Sequence, residues 1–179
     1  NGSQAANMWT YSNSSMDGVV LDASFTPSGG GEAKSSSDVG ITYTGIDGLT
    51  IGLATGTDSG GTVEVDNSTR YITYAYDAFT FGYQSNAMDS GTAGADEEFV
   101  AYAVSYAVND DLSISYGYSE IDYEGVSTVT DETQEASAIS VSYTMGSMAI
   151  AATRADVDNQ DGNSIQDGEG YEVNVAFTF

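Results

Sequence analysis

The sequence has no cysteine and no histidine, a single proline, and only three basic residues, Lys34, Arg70 and Arg154. Without thiols or imidazoles there is no disulfide framework and no thiolate or imidazole metal site. Nor can there be a Ser-His-Asp, Cys-His or His-Glu constellation of the kind on which most hydrolases rest. An enzyme is not expected, and neither is a tightly held cofactor. Against the three cations stand 27 acidic residues, a formal net charge of −24 in 179 residues. That balance excludes nucleic acid as a partner, because phosphate neutralisation needs clustered Lys and Arg. There is no run of about eighteen apolar residues to mark a spanning helix, and no charged-then-apolar leader. The first residue is Asn1 rather than Met, so a processed chain or part of a longer one is expected.

What is present argues against disorder, the usual fate of so acidic a chain: 13 Tyr, 6 Phe and abundant Val and Ile. These residues recur with period two. Val100, Tyr102, Val104, Tyr106 and Val108 alternate with Ala101, Ala103, Ser105 and Ala107. Leu112, Ile114, Tyr116 and Tyr118 alternate with Ser113, Ser115, Gly117 and Ser119. The pattern predicts eleven strands, near 6–13, 18–27, 37–45, 49–57, 68–76, 79–87, 98–108, 112–123, 135–145, 148–157 and 170–179. No stretch carries a convincing helical period.

The predicted connections alternate in kind. GIDGL, YDAF, VNDDL and MGSM read as tight hairpin turns, whereas SGGGEAKSSS, GTDSGGTVEVDNS, MDSGTAGADEE, EGVSTVTDETQE and DVDNQDGNSIQDGEG are long and polar. About twenty of the 27 acids fall in the long connections or the strand ends feeding them. The array therefore separates two unlike compartments.

A soluble β-sandwich would also give each strand one apolar face, but its other face would carry Lys, Glu and Arg. Here that face is Ala, Gly, Ser and Thr, too small to fill a core and nearly uncharged, like the wall of a hole. The apolar face mixes Val, Ile and Leu with Tyr, Phe and Met toward the short turns, as an outer surface in lipid with an aromatic girdle would. Backbone groups in hydrocarbon must all be paired, which a closed barrel achieves. The fold class expected is an all-β, antiparallel transmembrane β-barrel.

The consecutive hairpins FVAYAVSYAVNDDLSISYGYSEIDYEG and ASAISVSYTMGSMAIAATRADVDN, followed by YEVNVAFTF, resemble the C-terminal part of a Gram-negative outer-membrane porin of the alphaproteobacterial type. The resemblance implies a sixteen-stranded, homotrimeric barrel for small hydrophilic solutes, with its short turns in the periplasm. It also implies that the terminal Phe179 is read by the barrel-assembly machinery. Single-chain bacterial barrels have an even number of strands, so eleven is incomplete; the resemblance to sixteen-stranded porins implies that five strands, and the inward-folded constriction loop, lie on the N-terminal side.

In that frame the pore-lining residues expected are Thr42, Thr73, Thr80, Gln84, Ser105, Ser113, Ser115, Ser140, Ser142, Thr153, Asn174 and Thr178. Acids at the long connections, Asp96, Glu97, Glu98, Asp131, Glu132, Asp156, Asp158 and Asp161, should concentrate cations at the mouth over a Debye length. Weak, shared divalent-cation binding there is the middle ground between a solvated loop and a defined site. The alternative in another class is a surface structural or adhesive barrel without an open channel; a third reading is a secreted acidic β-protein. Short motifs add little. The GxxxGxxxG of Gly48, Gly52 and Gly56 lies in a period-two strand, GGGEAKSS lacks the final glycine of a phosphate loop, and DVDNQDGNSIQD breaks the calcium-loop register at Gln160 and Asp161.

Overall fold

The computed structural model describes residues 8–28, 35–58, 63–92, 95–124 and 132–178. These contain eleven strands: β1 Trp9–Met16, β2 Val19–Thr26, β3 Ser36–Ile46, β4 Leu49–Asp58, β5 Val65–Tyr76, β6 Phe79–Asp89, β7 Glu97–Ala107, β8 Leu112–Tyr123, β9 Glu132–Met145, β10 Met148–Asp158 and β11 Gly168–Phe177. One turn of 3-10 helix, Gln160–Gly162, lies between β10 and β11. The strands form a single antiparallel sheet in sequence order, an eleven-stranded meander. Every strand but the outer two is paired on both sides, and β1 and β11 do not pair with each other.

The sheet has no core. Among the described residues no hydrophobic side chain is buried, and Leu53, Tyr102 and Ile139 keep 52%, 52% and 50% of their surfaces exposed. A sandwich would cover this face with a second sheet about 10 Å away; all the described strands lie in one layer. An apolar face of this extent is stable only against another apolar phase, such as the hydrocarbon of a membrane.

Antiparallel register carries the alternation from strand to strand, so side chains sort into two continuous faces. On the apolar face Phe81 pairs with Val104, Val104 with Tyr116, Tyr116 with Ile139 and Ile139 with Arg154. Near the short turns this face is aromatic. The Phe79 and Tyr106 rings lie 4.6 Å apart, Phe79 and Phe81 6.0 Å, and Tyr74 and Tyr76 6.2 Å, within the range of favourable ring pairing.

The five short turns are linked into one rim. The carbonyls of Gly18, Gly48, Ala78, Asp111 and Ser147 each accept a hydrogen bond of 2.7–2.8 Å from the next hairpin, from the N–H of Thr44, Ala75, Ala107, Thr144 and Thr178. Each hairpin thereby fixes the height of its neighbour. Glycine is required at Gly48, whose φ is +73° and where a Cβ would stand 2.3 Å from the Ala75 carbonyl oxygen.

Two expectations change. β1 runs to Met16, three residues past the predicted end, because the Ser-rich segment before Asp17 stays in the ladder through an irregularity between Asn13 and Met16. The strands also extend further toward the long connections than predicted, β5 from Val65 and β9 from Glu132. Polar composition there reflects the solvent those residues meet, not a loss of pairing.

Candidate functional site

The small-residue face is the candidate site. Thr42, Thr73, Thr80, Gln84, Ser105, Ser113, Ser115, Ser140, Ser142, Thr153 and Asn174 all lie on it by register, and Thr178 follows just after β11. Several of them fall into one row. Thr80 pairs with Ser105, Ser105 with Ser115, Ser115 with Ser140, Ser140 with Thr153 and Thr153 with Glu172. Five hydroxyls and a carboxylate thus run across six strands, with Ser140 Oγ and Thr153 Oγ1 in hydrogen-bond contact at 2.7 Å. One row nearer the long connections the same strands place Gly82, Ala103, Gly117, Ala138, Ala155 and Gly170 side by side. Such a surface offers water hydroxyl partners and room, but no enclosed pocket for a specific ligand.

This face is less neutral than its sequence suggested. Asp22 and Asp38 sit on neighbouring strands, with Asp38 accepting a 2.7 Å hydrogen bond from Ser24 Oγ. They line a wall cavity of about 440 Å³ together with Thr10, Ser12, Gly40 and Tyr71. Tyr71 belongs to the same face, and its ring lies over Gly52 so closely that a Cβ there would overlap it. The alternation rule locates these groups; counting small residues hid them.

The acids expected at the long connections divide between the two faces. Glu97 and Glu132 flank Tyr123 on the small-residue face. Glu98, Asp156 and Asp158 extend the apolar face, where Glu98 faces Asp122 and Asp158 faces Glu135. Asp96 lies in a connection and accepts a 2.8 Å hydrogen bond from the Ser90 N–H, while Asp161 sits in the 3-10 turn. Asp131 and Phe179 lie outside the described residues.

The connection between β10 and β11 folds over the small-residue face. The Asp161 N–H donates to Gln134 Oε1 at 2.8 Å, Asn159 Nδ2 donates to the Thr133 carbonyl at 2.9 Å, and Gly162 abuts the Tyr123 ring. Gln134 and Tyr123 project from that face of β9 and β8, so this connection narrows the approach to it. Among the described residues no group of three acids is arranged to hold a metal ion.

No protein-family model and no curated protein sequence matches the chain. Solved structures do. It superposes on OmpTdeltaL8, a loop L8 deletion mutant of OmpT, an outer membrane protein of Vibrio cholerae, with a TM-score of 0.67 at 17% identity, over 95% of this chain and 62% of that one. A mutant of the Rh. blastica porin gives 0.66 at 14% identity, over 100% and 71% of the two chains. The NanC porin gives 0.57 at 14%, over 96% and 92%. The chain therefore has the strand fold of the Gram-negative outer-membrane β-barrel porins, present here as one open antiparallel sheet, and spans 62% of the length of the Vibrio cholerae protein.

Proposed function

We propose that the chain forms the wall of a water-filled outer-membrane channel for passive diffusion of ions and small hydrophilic solutes, with a preference for cations, and that it catalyses no reaction. The observation carrying this reading is the opposition of the two faces. A continuous apolar surface suits lipid, while the rows of hydroxyls and small side chains behind it leave a hydrated space. Cation preference is supported by the carboxylates of Asp22, Asp38, Glu97, Glu132 and Glu172 on that wall, where no Lys or Arg is found among the described residues. The unpaired edges of β1 and β11 need partners in a membrane; further strands of the full-length protein would supply them. Assembly as a homotrimer and recognition of Phe179 by the barrel-assembly machinery belong to the same reading, as does weak divalent-cation binding at the acidic rim. The full-length protein in a planar bilayer under a KCl gradient should give stepwise conductance and a reversal potential of the sign for K⁺ over Cl⁻. Absence of conductance steps, or a preference for Cl⁻, would reject it.

A further inference from the structure

The apolar face contains two of the three cations, and they stand at equivalent heights. Arg70 lies six residues along β5 from Tyr76 at one short turn, and Arg154 six residues along β10 from Met148 at another. Phe25, Tyr118 and Tyr171 lie on the same face, six residues from the short-turn ends of their own strands. Beyond this row the face turns acidic, with Glu98, Glu120, Glu135, Asp156 and Glu169. The row is thus the second aromatic girdle, where hydrocarbon gives way to headgroups.

The two arginines differ in what they meet. Arg154 donates to Asp156 at 3.0 Å, reaches Glu169 at 3.1 Å, and lies 5.8 Å from the Tyr171 ring centre. Its charge is satisfied within the protein. Arg70 has no hydrogen bond or ion pair among the described residues. It pairs in register with Leu53 and Ser85, and borders a notch of about 360 Å³ lined by Leu53, Ser68, Arg70, Ser85, Ala87 and Glu98. The notch exists because the neighbouring outward side chains are small. Ser85 stands opposite Arg70 on β6 and Ser68 two residues along β5, both lining the notch, and Glu98, in the row above, makes no ion pair with Arg70.

A guanidinium facing the edge of a hydrocarbon layer needs a counter-charge, and the bilayer itself holds phosphates at that depth. Its planar fork matches phosphate oxygens, and hydroxyls add further donors. We propose that the Arg70 notch is a binding site for the phosphate headgroup of an anionic membrane lipid, one molecule seated against β5 and β6. Charge complementarity supports this occupant: in a chain of net charge −24, Arg70 is an outward cation without an internal partner among the described residues. The inference rests on the membrane-barrel reading above, but not on what passes through the channel.

The test is lipid retention by the full-length protein in non-ionic detergent, titrated with diphosphorylated lipid A or its dephosphorylated form and read by native mass spectrometry. The wild type should retain the phosphorylated lipid selectively. Arg70→Gln should weaken retention by about fivefold, as expected for one basic residue at an anionic lipid surface, and Arg70→Lys by less. Arg154→Gln and Glu98→Gln should retain at least as much as half the wild-type lipid. Equal retention of the two lipids, unchanged binding in Arg70→Gln, or equal losses in Arg70→Gln and Arg154→Gln would each overturn the site. So would displacement of the lipid by inorganic phosphate at equal concentration, which would make it a plain anion site. Conductance separates the two levels of inference: Arg70→Gln should form channels like those of the wild type, whereas failure of the barrel reading would leave the wild type itself without channels.

Discussion

Replacing Val104 by arginine tests the assignment of faces at its centre. Val104 lies between Phe81 and Tyr116 on the apolar face, two residues from the aromatic row that contains Tyr106. Phe81 and Tyr116 are about half exposed, at 48% and 49%, so neither neighbour shields the position from lipid. An arginine at that depth cannot reach either headgroup layer without distorting the bilayer, and should cost about 2–4 kcal/mol. In a two-state equilibrium this lowers the folded-to-unfolded ratio by about 30-fold to about 900-fold. Val141, paired with Ile114 and Ala152, should behave likewise. Ser105 is the adjacent residue of the same strand, with Thr80 and Ser115 beside it on the other face. Arginine at Ser105 or Ser142 should leave stability within about 1 kcal/mol, since the guanidinium enters water, and should change single-channel conductance instead. Urea unfolding of the full-length protein in phospholipid vesicles, followed by tryptophan fluorescence, measures the first quantity, and planar-bilayer recording the second. Equal destabilisation by the Val104 and Ser105 substitutions would refute the assignment, because a slip of one residue in register inverts every side chain in the strand.

Glu97→Gln should weaken K⁺ preference more than Glu98→Gln, because only Glu97 shares the small-residue face; the difference should shrink as salt rises past the point where the Debye length is about 10 Å, and is read from reversal potentials at low and high KCl. Gly48→Ala should destabilise by about 1–3 kcal/mol in the same urea assay, since the left-handed backbone and the Ala75 carbonyl both oppose a Cβ. On the proposed recognition of Phe179 by the assembly machinery, its deletion should lower the amount of assembled protein reaching the cell surface, measured by surface labelling, while refolding into detergent changes little, because one phenylalanine side chain contributes at most about 1.5–3 kcal/mol.

The sequence made the fold legible wherever one face meets lipid, because lipid enforces alternation on every strand. β8, Leu112–Tyr123, has the boundaries that its pattern predicts, and β6 starts where Phe79 restores the alternation. Legibility fades where both faces meet water. Glu132, Thr133 and Gln134 look like loop by composition, yet they pair with Tyr123, Asp122 and Ile121. Hydroxyl wall residues such as Ser105, Ser115 and Ser140 could be placed by parity alone, but their alignment in one row depends on the register of two successive strand pairings, which no local pattern encodes. Parity with Thr73 and Ala75 puts Tyr71 on the small-residue face, but its closeness to Gly52 depends on the pairing of β4 with β5, which its own strand does not encode. The unequal surroundings of Arg70 and Arg154 likewise arise from neighbours distant in sequence.

These 179 residues contain no cysteine, so a thiol introduced among them meets no native thiol within this segment, and any cysteine elsewhere in the protein is replaced by serine first. Single cysteines placed in the full-length protein at Ser105, Ser115 and Ser140, and at Val104, Tyr116 and Ile139, sample one row on each face of β7, β8 and β9. In sealed vesicles, a charged, membrane-impermeant thiol reagent should modify the first three rapidly and reduce conductance, while the second three stay protected until the lipid is removed. Modification of both sets at similar rates, or of the second set alone, would contradict a water-filled channel lined by the small-residue face.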